Sequence, residues 1–207
     1  MQQKKIRFTS PKGYALYAHL DVPDTKFDSD GVYTVNLKLD DTENTQQLIN
    51  KLEAIRDEYM ENSQDVQKAR NSRKQVIAAD VCEWNEEGQA VFKFKQKAKI
   101  RCKDGSVIDV KVAMFDAKGK PFKASIGNDS VIRISFTVNP YYMPTTKTVG
   151  LSLRPVAVQV IDLVEFNGGD AKSYGFDEEE GYEAESTEET PWESKDAPDE
   201  EFNRGDF

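Results

Sequence analysis

The chain has 207 residues, which is enough for one compact domain, or for one domain followed by a tail. Hydrophobic residues make up 38% and charged residues 31%, and no apolar run reaches the roughly 18 residues needed to span a bilayer, which excludes a membrane protein. Two cysteines, Cys82 and Cys102, are too few for a disulfide-rich scaffold. Because the N-terminus has no apolar segment, we expect no signal peptide and a soluble protein of a reducing compartment.

Charge divides the chain into two parts. Residues 166–207 contain 15 acidic and 3 basic side chains, whereas residues 1–165 contain 25 basic and 22 acidic ones. Val, Ile, Leu and Met are absent after position 166, so this segment cannot bury enough apolar surface to offset the entropy of ordering. We therefore predict a folded domain over 1–166 and a disordered acidic C-terminal tail over 167–207.

The predicted domain consists mainly of strands. Alternating or β-rich patterns are found at 7–20 (broken at 11–13), 31–39, 76–82, 91–103, 107–115, 131–138 and 149–166. One helix is predicted at 43–62, because Leu48, Ile49, Leu52, Ile55 and Tyr59 recur at helical spacing and Asp41 or Thr42 can cap its start. The helix follows the second strand instead of alternating with every strand. This order predicts a mainly β fold: an OB-fold-like antiparallel barrel of five or more strands with one inserted α-helix.

The most informative segment is the strand predicted at 91–103. Phe92, Phe94, Ala98, Ile100 and Cys102 are expected to share one face. The other face carries a cationic stripe, which consists of Lys93, Lys95, Lys97, Lys99, Arg101 and Lys103. Its charges are spaced about 6.6–7 Å apart, which resembles the phosphate repeat of an extended single strand. A solvated face or a protected sheet edge is the alternative, but cations aligned on one face repel one another unless a polyanion is near.

Two further groups extend the candidate site. Lys111 continues the basic region beyond the stripe. A Pro-flanked loop is predicted at 139–144, where Tyr141 and Tyr142 lie near Lys147. Exposed aromatic side chains beside a basic groove can stack on bases without sequence selectivity. We expect one tyrosine to be exposed and the other to be packed in the core.

Signals of an enzyme are weak. His19, the only histidine, lies in a β-rich segment and fits a structural role. With Cys82 and Cys102 it gives too few and too oddly spaced ligands for a closed zinc site. Asp28 and Asp30 belong to an acidic cluster that fits turn formation better than metal binding. We expect no catalytic residues, no metal and no cofactor.

Several short motifs occur in an order that resembles the replication single-stranded DNA-binding proteins of short-tailed phages (podoviruses). The motifs are FTS at 8–10, YA at 17–18, PD at 23–24, GVY at 31–33, FKFK at 92–95, FDAKGK at 115–120, PY at 140–141, VG at 149–150 and GDF at 205–207. One position departs from the family pattern, since Asp30 precedes GVY where a basic residue is expected.

The resemblance implies an OB-fold protein that coats single-stranded DNA in phage replication and recombination, within the cytoplasm of the infected host. It also implies that the tail binds a replicative DNA polymerase and a helicase-primase, with Phe207 as the main contact. Trp192, Phe202 and Asp206 are the other candidate partner-binding residues. The alternatives are an RNA-binding OB protein and an acidic-tailed interaction or chaperone protein that does not bind DNA. The oligomeric state is left open, with a homodimer as one candidate.

Overall fold

The computed structural model describes residues 7–72, 75–102 and 104–165. The strands in these ranges are β1 (Arg7–Thr9), β2 (Gly13–Asp24), β3 (Val32–Leu39), β4 (Ile77–Ala78), β5 (Glu83–Trp84), β6 (Ala90–Lys97), β7 (Lys99–Arg101), β8 (Val107–Asp109), β9 (Ala113–Phe115), β10 (Val131–Met143) and β11 (Thr148–Asp162). The helices in these ranges are α1 (Glu43–Asn62) and α2 (Gln64–Asn71), and neither is long and apolar enough to cross a membrane.

Five strands close into a ring in the order β2, β3, β6, β11, β10 and back to β2. The contact between β6 and β11 is parallel, and the other four contacts in the ring are antiparallel. A five-stranded Greek-key barrel with this strand order is the OB-fold. The predicted OB-fold-like barrel is therefore confirmed.

The barrel interior follows from the alternation of side chains along β3 and β6. Val35 and Leu37 on β3 face inward with Phe92 and Phe94 on β6, and all four are buried. The ring of Phe94 meets that of Phe136 on β10 edge to face at 5.0 Å between centroids. Burying each such side chain contributes about 1.5–3 kcal/mol, so this interior fixes which face of β6 remains outside.

Helix α1 spans the predicted residues 43–62 and lies between the second and third strands of the ring. It begins after Thr42, whose Oγ1 accepts a hydrogen bond from the Thr45 backbone N–H at 3.3 Å. Leu48, Ile49 and Leu52 are buried against the barrel core, as their helical spacing requires. The predicted helix and its Thr42 cap are confirmed.

Several predicted segments differ in the structure. The strand predicted at 76–82 is limited to β4, and the one predicted at 107–115 is divided into β8 and β9. The loop predicted at 139–144 is wrong, because β10 continues through Met143 and the turn follows at 144–147. Pro140 is tolerated there because, in the part of the chain that is described, β10 has a strand on only one side at this position.

Candidate nucleic-acid interface

The first half of the cationic stripe lies on the outer face of β6. Lys93, Lys95 and Lys97 are exposed, while the residues between them point into the barrel. This alternation is the one expected from the sequence. It is enforced by Phe92 and Phe94, because a shift by one residue would bring lysines into the core.

The second half of the stripe lies on a separate ribbon. The chain bends at Ala98, where the backbone N–H donates to the Gly31 carbonyl at 2.8 Å and the carbonyl accepts from the Val110 N–H at 2.7 Å. Strand β7, with Lys99 and Arg101, then pairs with β8. The expectation that Ile100 shares the buried face is therefore wrong, since the bend leaves its side chain 37% exposed opposite Ile108.

The bend creates a cleft of about 510 Å³ between β6, the ribbon and β11. Its lining is dominated by cations and consists of Asp30, Lys95, Gln96, Lys97, Lys99, Ile100, Arg101, Ser152 and Arg154. Arg154 was not predicted from the sequence. The alternation of residues along β11 indicates that Arg154 faces outward. Its position next to the stripe, however, depends on the parallel contact between β6 and β11, which the sequence pattern does not indicate.

Carboxylates already neutralise part of the stripe. Arg101 donates two hydrogen bonds to Asp30, at 3.0 Å from Nε and 2.8 Å from Nη2. Lys97 Nζ lies 3.3 Å from Asp28 Oδ2, and Lys93 Nζ lies 2.6 Å from a carboxylate oxygen of Glu83. The Arg101 hydrogen bond lowers the pKa of Asp30, and the same hydrogen bond raises the pKa of Arg101. An anionic ligand at these positions must therefore compete with side chains of the protein itself.

Tyr141 lies on the same outer face as the cleft. Its ring crosses Gly150 on β11, because a Cβ atom placed at Gly150 would be 2.7 Å from the Tyr141 hydroxyl oxygen. Gly150 precedes the cleft residues Ser152 and Arg154 by two and four positions, so all three face the same side of the strand. Tyr141 is 40% exposed on this face.

The other sequence-predicted residues lie elsewhere. Tyr142 is half-buried and lines a different cavity, next to Lys68 on α2. Lys147 is exposed in the turn between β10 and β11, where its φ is 57°. Lys111 borders an apolar cavity of about 590 Å³ that includes Tyr33 and Phe122. The structure therefore places Tyr141 over Gly150, two residues from the cleft residue Ser152 but outside the cleft lining, while Tyr142 and Lys111 line other cavities.

Five of the proposed site residues lie outside the described ranges. They are Lys103 at the end of the stripe and the tail residues Trp192, Phe202, Asp206 and Phe207. The tail prediction for 167–207 also lies outside these ranges, so it stays a prediction.

The acidic residues near the site act in turns and ion pairs. Asp24 Oδ1 accepts the Lys26 N–H at 2.9 Å, and Asp28 Oδ1 accepts the Asp30 N–H at 3.1 Å. Within 7–72, 75–102 and 104–165, no group of three or more His, Cys, Asp or Glu side chains is arranged to hold a metal ion. Burial raises the pKa of the Cys82 thiol to about 11, which opposes formation of the thiolate that binds metals.

These features define a class of protein. A five-stranded OB barrel whose outer face carries a cationic cleft and an exposed tyrosine is an oligonucleotide-binding module.

Comparison with known proteins identifies the family within this class. The family model described as "Single-stranded DNA-binding protein, Bacteriophage T7" matches residues 10–163, and the chain belongs to this family. This result confirms the resemblance found in the sequence motifs.

Two comparisons with phage T7 proteins agree with this assignment. The single-stranded DNA-binding protein of Escherichia phage T7 is 28% identical over 134 residues, which span 59% of this chain and 58% of that relative. The crystal structure of gp2.5, a single-stranded DNA-binding protein encoded by bacteriophage T7, superposes with a TM-score of 0.69 at 25% identity, covering 88% of this chain and 100% of that one. The single-stranded DNA-binding protein from bacteriophage Enc34 has a TM-score of 0.47 at 11% identity, covering 82% of this chain and 90% of that one.

Proposed function

We propose that this chain coats single-stranded DNA during phage DNA replication and recombination, with little selectivity for sequence. The observation that carries the proposal is the cleft, in which Lys95, Lys97, Lys99, Arg101 and Arg154 converge on the outer face of an OB barrel. Family membership supports the choice of single-stranded DNA as the ligand. The protein then acts by binding instead of catalysis, in the cytoplasm of the infected cell.

The geometry of the cleft supports binding to the DNA backbone. Lys95 and Lys97 project from β6 about 6.6–7 Å apart, which matches the phosphate spacing of an extended strand. Arg154 adds a cation from the neighbouring strand β11, so phosphates can be contacted from both sides. Because phosphates carry no sequence information, such contacts favour affinity over selectivity.

Tyr141 provides a surface for bases beside these cations. Its ring lies over Gly150 on the strand that also carries Arg154. Stacking of one base on an aromatic ring contributes about 1–3 kcal/mol and is available to every base. A basic backbone track with an adjacent aromatic ring therefore accounts for binding that tolerates any sequence.

The acidic tail is proposed to recruit a replicative polymerase and a helicase-primase. Its 15 acidic side chains suit basic partner surfaces, and Trp192, Phe202 and Phe207 provide apolar anchors. This role rests on composition and on the family resemblance alone. The homodimer considered from the sequence also stays a prediction.

A titration with labelled oligonucleotides of one sequence tests the DNA-binding proposal. Single-stranded DNA, duplex DNA and single-stranded RNA are compared at two salt concentrations. We expect the DNA single strand to bind more tightly than the duplex, and its log affinity to fall with log salt at about 0.7 per phosphate neutralised. Equal affinity for duplex and single strand contradicts the proposal, and a preference for RNA favours the RNA-binding alternative.

A charge-reversal variant connects this binding to the cleft. Lys95→Glu with Lys99→Glu should weaken binding to all single-stranded sequences and flatten the salt dependence, because both cations line the cleft. The matched control is Lys118→Glu with Lys120→Glu, which makes the same charge change in an exposed turn outside the cleft lining. Equal losses in the two double variants would show that only net charge matters.

A further inference from the structure

The loop between β2 and β3 displays an aromatic ring that has no packing role in the described structure. Phe27 is 89% exposed, more than any other large hydrophobic residue in the described ranges. The β2–β3 connection is the loop between the first two strands of the OB barrel, one of the loops by which OB-folds contact oligonucleotides. Phe27 is therefore exposed in a loop where a bound oligonucleotide can contact its ring.

The backbone around Phe27 is fixed by hydrogen bonds. On one side, the Lys26 N–H donates to Asp24 Oδ1 at 2.9 Å. On the other side, the Asp30 N–H donates to Asp28 Oδ1 at 3.1 Å, and the Gly31 N–H donates to the Asp28 carbonyl at 2.8 Å. These turns hold the ring away from the barrel, so little conformational entropy is lost when a ligand contacts it.

The same loop is anchored to the cationic stripe. Asp28, the residue after Phe27, places its carboxylate 3.3 Å from Lys97 Nζ. Asp30 holds Arg101 through two hydrogen bonds. Lys26 Nζ lies 5.6 Å from the centroid of the Phe27 ring. The loop that carries the ring is therefore paired with two cations that line the cleft, and Lys26 lies beside the ring itself.

Phe27 and Tyr141 lie toward opposite ends of β6. Leu153 is level with Phe94, so the parallel register puts Gly150, under Tyr141, near the start of β6. Phe27 is adjacent to the contact with Lys97, at the last residue of β6. Along β6, the positions of Tyr141 and Phe27 are separated by about 20 Å at the usual rise of a strand, which corresponds to about three nucleotides of extended DNA backbone.

We propose that Phe27 binds single-stranded DNA by stacking on a base, at the end of the cleft that is formed by the β7–β8 ribbon. The inference rests on the proposed function, since it names a further contact for the same ligand. The phosphate next to the stacked base would lie near Lys97 and Arg101. Phe27 and Tyr141 would then stack on bases at the two ends of the DNA segment whose backbone contacts the stripe.

The test uses the full chain and two oligomers of equal length, one of deoxythymidine and one with abasic sites throughout. Phe27→Ala should weaken binding to the thymidine oligomer by roughly 5- to 150-fold, the effect of one stacked base. It should change binding to the abasic oligomer much less, because no ring is present to stack. The salt dependence should be the same as for the unmodified chain, since no cation is removed.

Two variants serve as controls for the loop. Phe27→Trp keeps an aromatic ring and should retain tight binding. Val22→Ala shortens an exposed but non-aromatic side chain near the end of β2 and should leave binding unchanged. Thermal unfolding of all variants is expected to match that of the unmodified chain, because neither side chain is buried.

The outcomes separate the two proposals. If the unmodified chain binds thymidine oligomers but Phe27→Ala binds them equally well, the stacking inference is wrong and the proposed function stands. If Phe27→Ala loses the same factor on both oligomers, the residue positions the loop and does not stack. If the unmodified chain binds neither oligomer, the proposed function fails and this inference fails with it.

Discussion

The contact between Asp30 and Arg101 shows how one acidic residue can reduce the number of free hydrogen-bond donors in a cationic cleft. Asp30 stands where the sequence resemblance leads us to expect a basic residue, and its carboxylate accepts hydrogen bonds from two donors of Arg101 in the cleft lining. The carboxylate thus occupies hydrogen-bond donors of Arg101 that a phosphate would otherwise be able to use. Asp30 is therefore an internal competitor for Arg101, which should lower the affinity of this chain for DNA.

The first prediction follows from that competition. Asp30→Asn removes the negative charge and should release Arg101, so affinity for single-stranded DNA should rise and the salt dependence should steepen by about 0.7. Glu58→Gln makes the same charge change at an exposed position on α1 and serves as the control. Fluorescence titration at several salt concentrations measures both quantities. A weaker complex in Asp30→Asn alone would mean that Asp30 supports binding by holding the loop.

The second prediction concerns the pH dependence of stability. Because the pKa of Asp30 is lowered by its hydrogen bond with Arg101, the pair stabilises the fold at pH values above the ordinary aspartate pKa of about 3.9. That stabilisation is lost as the pH falls through the lowered value. Asp30→Asn should therefore have a lower Tm than the unmodified chain at pH 7, and the difference should shrink at pH values below about 4. A Tm difference that stays constant across this range would exclude the ion pair as its cause.

At the scale of elements, sequence periodicity predicted the features of strands and helices that depend only on local sequence. Alternation identified the outer face of β6, and helical spacing located α1 with Thr42 at its cap. These elements were predictable because a buried face imposes its period on the sequence. The prolines at 140 and 144 predict a loop at 139–144, whereas pairing with β11 extends the strand through Met143.

The cleft could not be predicted in the same way, because it depends on contacts between distant segments. Arg154 reaches the stripe through the parallel pairing of β6 with β11. The bend at Ala98 depends on hydrogen bonds to Gly31 and Val110. Phe27 carries no sequence signal that separates it from an ordinary turn residue. The loop that carries it is brought to Lys97 by the ion pair of the neighbouring Asp28, a contact between distant segments.

The third prediction tests how β10 and β11 present Tyr141. Gly150→Ala introduces a Cβ atom 2.7 Å from the Tyr141 hydroxyl oxygen and 2.8 Å from Cζ, so the ring must move. Affinity for single-stranded DNA should fall, approaching the loss of about 1–3 kcal/mol expected for Tyr141→Ala. The double variant should lose no more than Tyr141→Ala alone, because both changes remove the same contact. Additive losses would show that Gly150 acts independently of Tyr141.

At the scale of the whole molecule, the distribution of charge connects the two parts of the chain. Residues 1–165 have a net charge of +3 and residues 166–207 have a net charge of −12, for a total of −9. If the tail is disordered, as predicted, it is a polyanion tethered to a domain that carries a cationic cleft. Tethering raises its effective concentration at the cleft, so we expect it to compete with DNA. Recruitment of partners by the same tail would then be favoured when DNA occupies the cleft.

The fourth prediction separates these two roles of the tail. Deletion of 167–207 removes 15 acidic and 3 basic residues and should leave the barrel folded, since the five barrel strands and the core described between them lie within residues 7–165. Affinity for single-stranded DNA should rise, and the gain should diminish at high salt, where the competition is screened. Binding to a replicative polymerase or helicase-primase should be lost. Phe207→Ala keeps the charge and removes only an apolar anchor, so it should weaken partner binding while DNA affinity stays unchanged.

If deletion weakens DNA binding, the tail does not compete for the cleft. If Phe207→Ala leaves every partner contact intact, the terminal phenylalanine is not the anchor.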